Sequence, residues 1–135
     1  NFAKCCLPIP GDNIIGHLSK VKGLVIHRRK CHHLGTFIKE SSRWIGAEWS
    51  DDIEHELSTE ITVHAKHKPG SLAAIAGKLA DNGCNVEQVS LATEYEDETI
   101  DILFQIQVAS RKDLADIMRG IKAMGNVEKV SRSLH

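Results

Sequence analysis

The clearest period in the chain runs from Ile100 to Val108. Ile100, Ile102, Phe104, Ile106 and Val108 alternate there with other residues, the spacing of a strand with one buried face. Ile61, Val63 and Ala65 alternate in the same way with Thr62, His64 and Lys66, and Lys68-Pro69-Gly70 ends that strand. The period then lengthens: Leu72, Ile75, Ala76 and Leu79 recur at threes and fours, predicting a helix capped by Ser71 and stopped by Asn82-Gly83. Cys84 to Tyr95 predicts a second strand through Val86, Val89 and Leu91, with Glu96-Asp97-Glu98 as a charged hairpin tip. Ser110 would cap a second helix carrying Leu114, Ile117, Met118 and Ile121 on one face, and Val127 to Val130 predicts a last strand. The order is β-α-β-β-α-β, which implies a ferredoxin-like, four-stranded antiparallel sheet with both helices on one face.

The first fifty residues carry shorter patterns. Ile14, Ile15 and Leu18 predict one short strand and Leu24, Val25 and Ile26 another, with the reversal at Lys20 to Gly23. Pro8 and Pro10 fix φ and remove donors, so their segment runs extended and outside a regular sheet before a turn at Gly11-Asp12. Leu34, Phe37 and Ile38 predict a short helix, weakened by Gly35 and broken at Ser41-Ser42. Trp44, Ile45, Ala47 and Trp49 suggest a further strand, both indoles largely buried with their donors satisfied. The acidic stretch 51–56 reads as a linker. The chain thus divides into a small β-rich cysteine module (1–50), the linker (51–56) and an α+β domain (57–135).

Composition sharpens this division. Hydrophobic residues make up 41% of the 135 but aromatics only 4%, so aliphatic side chains must fill both cores. No run approaches the roughly 18 apolar residues of a membrane span. The N-terminal stretch has no apolar signal region and no initiating Met, as expected of a piece of a longer cytoplasmic protein. Residues 1–43 carry eight Lys or Arg against Asp12 and Glu40, a balance of +6, and the remainder a balance of −7. Two modules with different partners follow, and Arg28, Arg29 and Lys30, at an exposed-looking corner, are candidate contacts to RNA or an acidic partner.

The chemistry concentrates at Cys5, Cys6, His27 and Cys31, which the two short strands bring towards one another. Three thiolates and an imidazole suit tetrahedral zinc; the alternative is a cluster of buried thiols. Adjacent cysteines are awkward ligands on an extended segment, where neighbouring side chains point to opposite faces. A disulfide does not suit the expected compartment, and a Cys5–Cys6 bridge would be strained. A Cys–His nucleophile lacks an oxyanion donor and an orienting carboxylate, since Asp12 reads as a turn residue. Cys84 reads as small apolar filling, and His32 and His33 as solvated. Phosphate-loop and dinucleotide signatures are absent. An RNA-recognition sheet of the same strand order would need aromatics on its central strands, where only Phe104 stands.

The residues Cys5, Cys6, Pro8, Pro10, Gly11, Asp12, Gly16, Gly23, Ile26, His27 and Cys31 together resemble the conserved-cysteine (ribosome-intersubunit or zinc-finger) module of RelA/SpoT-type stringent-response proteins. In that family the module precedes an ACT domain. The turn His67-Lys68-Pro69-Gly70-Ser71-Leu72, with Asn82-Gly83-Cys84-Asn85-Val86 after it, resembles the ACT hallmark. Leu114 to Arg119 and Val127 to Val130 look like the ending of the bifunctional, SpoT-like branch. The resemblance implies a non-catalytic regulatory region of a (p)ppGpp synthetase/hydrolase, sensing a signal and biasing synthesis against hydrolysis in the catalytic half of the same protein. It also implies candidate ligand contacts at His67, Gly70, Ser71, Leu72, Asn85 and Val86, with an amino acid as ligand. A homodimer through the ACT domain follows, and acyl carrier protein or the ribosome as further partners. Other readings are a ribosome- or tRNA-contacting module of a synthetase and an amino-acid-binding ACT regulator of a metabolic enzyme. His67 departs from the family's usual Asn or Asp.

Overall fold

A computed structural model of the protein describes residues 2–19, 23–31, 44–50, 56–91 and 98–133. Its elements are β1 (Ile14–Ser19), β2 (Gly23–Arg28), β3 (Trp44–Gly46), β4 (Leu57–Lys66), α1 (Ser71–Asp81), β5 (Asn85–Leu91), β6 (Thr99–Val108), α2 (Arg111–Lys122) and β7 (Val127–Arg132). The first three strands form one antiparallel sheet in the order β2-β1-β3, the last four another in the order β5-β6-β4-β7. The predicted helix through Leu34, Phe37 and Ile38 lies outside the described residues, as do the reversal at 20–22, the linker at 51–55 and the hairpin tip at 92–97.

The second sheet follows the predicted β-α-β-β-α-β order. All five alternating apolar residues of β6 are buried, Ile61 of β4 standing opposite Phe104 and Val63 opposite Ile102. Ile75 and Leu79 of α1 and Leu114, Ile117 and Ile121 of α2 close the same cluster, so both helices cover one face. Ser110 caps α2: its Oγ accepts from the Asp113 amide at 3.2 Å, and Asp113 Oδ2 accepts from the amide of the preceding residue, Ala109, at 3.0 Å.

At α1 the expectation needs correcting. Gly70, at φ 87°, occupies the cap, and Ser71 is the first helical residue with no side-chain cap bond. Only glycine enters that left-handed region without strain, so the chain starts its helix one residue earlier than predicted. Ser71 shares the buried face with Ile75 and Leu79, spaced at four residues, and Leu72 turns outward, 38% exposed.

The apolar residues of β5 are also more open than predicted, Val89 being 40% and Leu91 43% exposed. A bulge between Val86 and Gln88 explains their spacing, since it places Val86, Val89 and Leu91 opposite Ile106, Phe104 and Ile102. They lie on the helix-side face but on an edge strand, beyond the cover of the helices.

In the first sheet β3 pairs with β1 over only three residues, ending before Ala47 and Trp49. Both tryptophans are half-buried rather than largely buried. Trp49 Nε1 donates to the Asp12 carbonyl at 3.0 Å, and Trp44 Nε1 has no hydrogen-bond partner among the described residues. A module this small lacks the interior to enclose two indoles.

The junction is made by the Pro-rich segment. Ile9 is fully buried within the second domain's cluster. The Arg111 amide donates to the Pro10 carbonyl at 2.6 Å, and a Cβ on Gly11 would meet Arg111 Cβ at 2.8 Å. Arg132 grips Asp12 with Nη1 to Oδ1 at 2.7 Å and Nη2 to Oδ2 at 2.8 Å, reaching also the Leu7 carbonyl and Thr59 Oγ1. The absent donors that keep this segment out of a sheet leave it free to plug into its neighbour.

Candidate functional site

The cysteine cluster is assembled by three local devices. The Ala3 amide donates to the Ile26 carbonyl at 2.9 Å and ties the N-terminal segment to β2. The Leu7 amide closes back on the Ala3 carbonyl at 3.0 Å, with Leu7 at φ 45°, so Cys5 and Cys6 sit on a tight turn. After β2 supplies His27, the Cys31 amide donates to the Arg28 carbonyl at 3.0 Å and folds Cys31 back. The objection to adjacent cysteines assumed an extended backbone; on the turn both thiols face the same point.

The donor atoms of Cys5, Cys6, His27 and Cys31 all lie within 4.8 Å of one another. Cys5 Sγ is 3.5 Å from His27 Nδ1 and 3.6 Å from Cys31 Sγ, and Cys6 Sγ is 3.8 Å from His27 Nδ1. A tetrahedral zinc with Zn–S near 2.3 Å and Zn–N near 2.05 Å sets S···S edges of about 3.8 Å and S···N edges of about 3.6 Å. The spacing thus fits a four-coordinate metal and is far longer than the roughly 2.05 Å of a disulfide; all the cysteines are free.

Protonation points the same way. Burial first, and then the neighbouring Cys31 and Cys6, together push the Cys5 thiol up to about 12; burial raises Cys6 as well, opposed by the Arg28 amide that donates to its sulfur at 3.4 Å. The Cys5 and Cys6 thiols remain protonated unless a cation offsets their ionisation. His27 is 5% exposed and Trp44 and His17 pack near it, ring centroids 6.0 and 6.5 Å away, which shields the cluster from water.

The basic corner is not uniform. Arg29 and Lys30 are exposed, but Arg28 is buried and does not form part of an exposed patch, because its place opposite Ile14 turns it towards the second domain.

The candidate ligand residues of the second domain fall into two groups. His67, Gly70, Ser71 and Leu72 lie where Lys66 stands opposite Thr99; Asn85 and Val86 lie where Asn85 stands opposite Gln107. From Thr99 to Gln107 along β6 is roughly 26 Å at about 3.3 Å per residue. One chain therefore does not bring them together. The His67 amide donates to the Glu98 carbonyl at 2.6 Å, and Asn85 Nδ2 to Gln107 Oε1 at 3.0 Å.

Two residues at the domain junction escaped the sequence reading. Ile9 looked like part of a spacer between prolines, and Arg132 lay beyond the predicted end of the last strand; only the even placement of Val130 and Arg132 on β7 hinted at the latter.

Comparison with known proteins places these features. Residues 1–50 match the RelA/SpoT RIS domain and residues 54–132 the ACT domain. The chain is 39% identical over 133 residues to the bifunctional (p)ppGpp synthase/hydrolase SpoT of Escherichia coli, covering 98% of this chain and 19% of that protein. It is 26% identical over 131 residues to the GTP pyrophosphokinase of Myxococcus xanthus, covering 97% of this chain and 17% of that one. The chain thus spans under a fifth of the length of these relatives. The crystal structure of the ACT domain from the GTP pyrophosphokinase of Chlorobium tepidum superposes with a TM-score of 0.50 at 19% identity, over 58% of this chain and 99% of that domain, which bears on the fold alone.

Proposed function

The chain belongs to the ACT-domain family, joined to a RelA/SpoT RIS domain as in the C-terminal region of SpoT/RelA-type proteins, and on that premise we propose that it is the regulatory region of a bifunctional (p)ppGpp synthetase/hydrolase. It senses a signal and biases synthesis against hydrolysis in the catalytic half of the same protein. The observation that carries this reading is the direct docking of the two domains, with Ile9 in the second core and Asp12 held by Arg132. A change at either domain is then felt by the other. Cys5, Cys6, His27 and Cys31 would hold a structural zinc, which would keep their thiolates ionised and fix the turn that begins the docking segment. Exposed Arg29 and Lys30 are the candidate contacts to ribosomal RNA.

The test uses the full-length enzyme. Asp12→Asn is expected to shift the ratio of (p)ppGpp synthesis to hydrolysis at least fivefold, a typical coupling between distant sites. The chain alone is expected to turn over neither substrate. An unchanged ratio, both in Asp12→Asn and when the whole region is deleted, would end the reading.

The opposite placement of the two ligand groups favours a dimer. β5 is an edge strand with unpaired backbone groups and the exposed Val89 and Leu91. Pairing it with β5 of a second copy about a two-fold axis runs the strands antiparallel, so the Asn85 end of one copy meets the Leu91 end of the other, on the side of its Pro-Gly turn. The seam would take an amino acid, its carboxylate near the first-turn amides of α1. Sedimentation should find dimers at micromolar concentration and calorimetry should detect a branched-chain amino acid; monomer at every concentration would remove the seam.

A further inference from the structure

Arg28 and Arg132 lie at the same junction, and only one of them is satisfied. Every guanidinium nitrogen of Arg132 meets an oxygen. Arg28 is 7% exposed, yet its Nε and Nη2 are buried without a hydrogen-bond partner among the described residues. A guanidinium cannot shed its charge by losing a proton, so its burial has to be offset by an anion.

The surroundings are built for one. Arg28 lines a cavity of about 280 Å³ between the two domains. Lys30 and Arg111 line it as well, and neither enters an ion pair among the described residues. Asp12, the carboxylate at the wall among the described residues, is already neutralised by Arg132. Three cations with no ion pair among the described residues converge on one space, more than a single carboxylate would balance and one for each of the three oxygens of a phosphoryl group, which carries about two charges. Leu114 and Met118 of α2 add an apolar wall, which a bare inorganic ion would leave unused.

We propose that this cavity binds a small phosphorylated molecule, its phosphoryl oxygens held by Arg28, Lys30 and Arg111 and its organic body lying against Leu114 and Met118. Arg28 and Lys30 come from the first domain, Arg111, Leu114 and Met118 from the second. The ligand therefore binds both domains at once and strengthens their docking. None of these residues is a candidate zinc ligand or part of the amino-acid seam, so the failure of this site would leave the regulatory reading standing.

Three probes of graded chemistry test it on the whole chain at low ionic strength, by calorimetry and thermal melting: phenyl phosphate, inorganic phosphate and benzoate. Phenyl phosphate should bind one per chain and raise the melting midpoint, with inorganic phosphate and benzoate each at least tenfold weaker. Arg28→Met should weaken phenyl phosphate at least tenfold, while the ligand-free melting midpoint stays level or rises because an unpaired buried charge has gone. Ala115→Trp, at an exposed position of α2 on the cavity wall, should block binding without touching a cation and decides the matter if Arg28→Met does not fold. No stabilisation by phenyl phosphate, or equal binding by wild type and Ala115→Trp, would overturn the proposal. Benzoate binding as tightly would overturn the phosphoryl assignment, and inorganic phosphate doing so would overturn the role of Leu114 and Met118.

Discussion

Ile61, Val63, Phe104, Ile106 and Ile121 of the second domain are fully buried in one continuous cluster, whereas the first domain's own buried cluster contains Ala3, Cys6 and Cys31, with Cys5, Ile15, Val25 and Trp44 packed partly against it. Aliphatic burial can stabilise the second unaided. The first has too little apolar interior for that, and two of its three buried cluster members are candidate metal ligands. What holds it is a metal-sized knot at one end and, at the other, a plug set into its neighbour. The difference teaches that a domain can be ordered by what it grips rather than by what it encloses.

The largest effect should come from the knot. Trp44 and Trp49 both lie in the first domain and, among the described residues, the helices α1 and α2 both lie in the second, so tryptophan fluorescence follows the first domain and helical circular dichroism draws on the second. Protein purified without added metal should carry about one zinc per chain. Chelation or Cys6→Ser should unfold the tryptophan-bearing domain, with a loss on the order of 10 kcal/mol as in small zinc-dependent domains, while most helical signal survives. If both signals melt together and unchanged after chelation, the contrast between the domains is wrong.

The plug comes next in size. Ile9→Ala should cost about 2–5 kcal/mol, the range for a buried aliphatic truncation. Although Ile9 belongs to the first domain by sequence, the helical transition of the second should fall, because the cavity opens in that core. A loss confined to the fluorescence transition would mean that the second core closes without its guest.

What the sequence made legible divides along the same line. β6, β4 and α2 could be read because their side chains alternate or recur about a core made by the same domain, and Ser110 capped its helix as composition predicts. Contacts between domains leave no such period. Asp12 and Arg132 are separated by 120 residues, and neither neighbourhood signals the other. The convergence of Cys5 and Cys6 turns on the positive φ of Leu7, a conformation no leucine advertises. Arg28 looked like one of three basic residues, and only its position opposite Ile14 sends it inward. Leu72 is exposed because the buried stripe of α1 runs through Ser71, Ile75 and Leu79, and Leu72 lies beside it. Periodicity reports the face a residue shares, and it is silent on whether anything covers that face.

The smallest effect sharpens the comparison through the one cysteine outside the knot. Cys84 packs partly buried against the second core, its Sγ directed to the Gln107 carbonyl at 3.8 Å. Burial pushes its thiol up to about 11 from 9.0, with Asp113 and Glu56 adding to the rise. Below pH 9 the thiol is protonated in both folded and unfolded chains and contributes no pH dependence. Between about pH 9 and 11 the unfolded chain loses the proton while the folded chain keeps it, so stability falls with rising pH, and the fall levels off above pH 11. Discounted for partial exposure, the loss is on the order of 1 kcal/mol. Cys84→Ala should remove that part of the alkaline decline, seen as a smaller drop in the helical melting midpoint between pH 8 and pH 11 than in the wild type. Equal drops would mean that Cys84 ionises as freely folded as unfolded, and that the second core admits more water at β5 than its packing indicates.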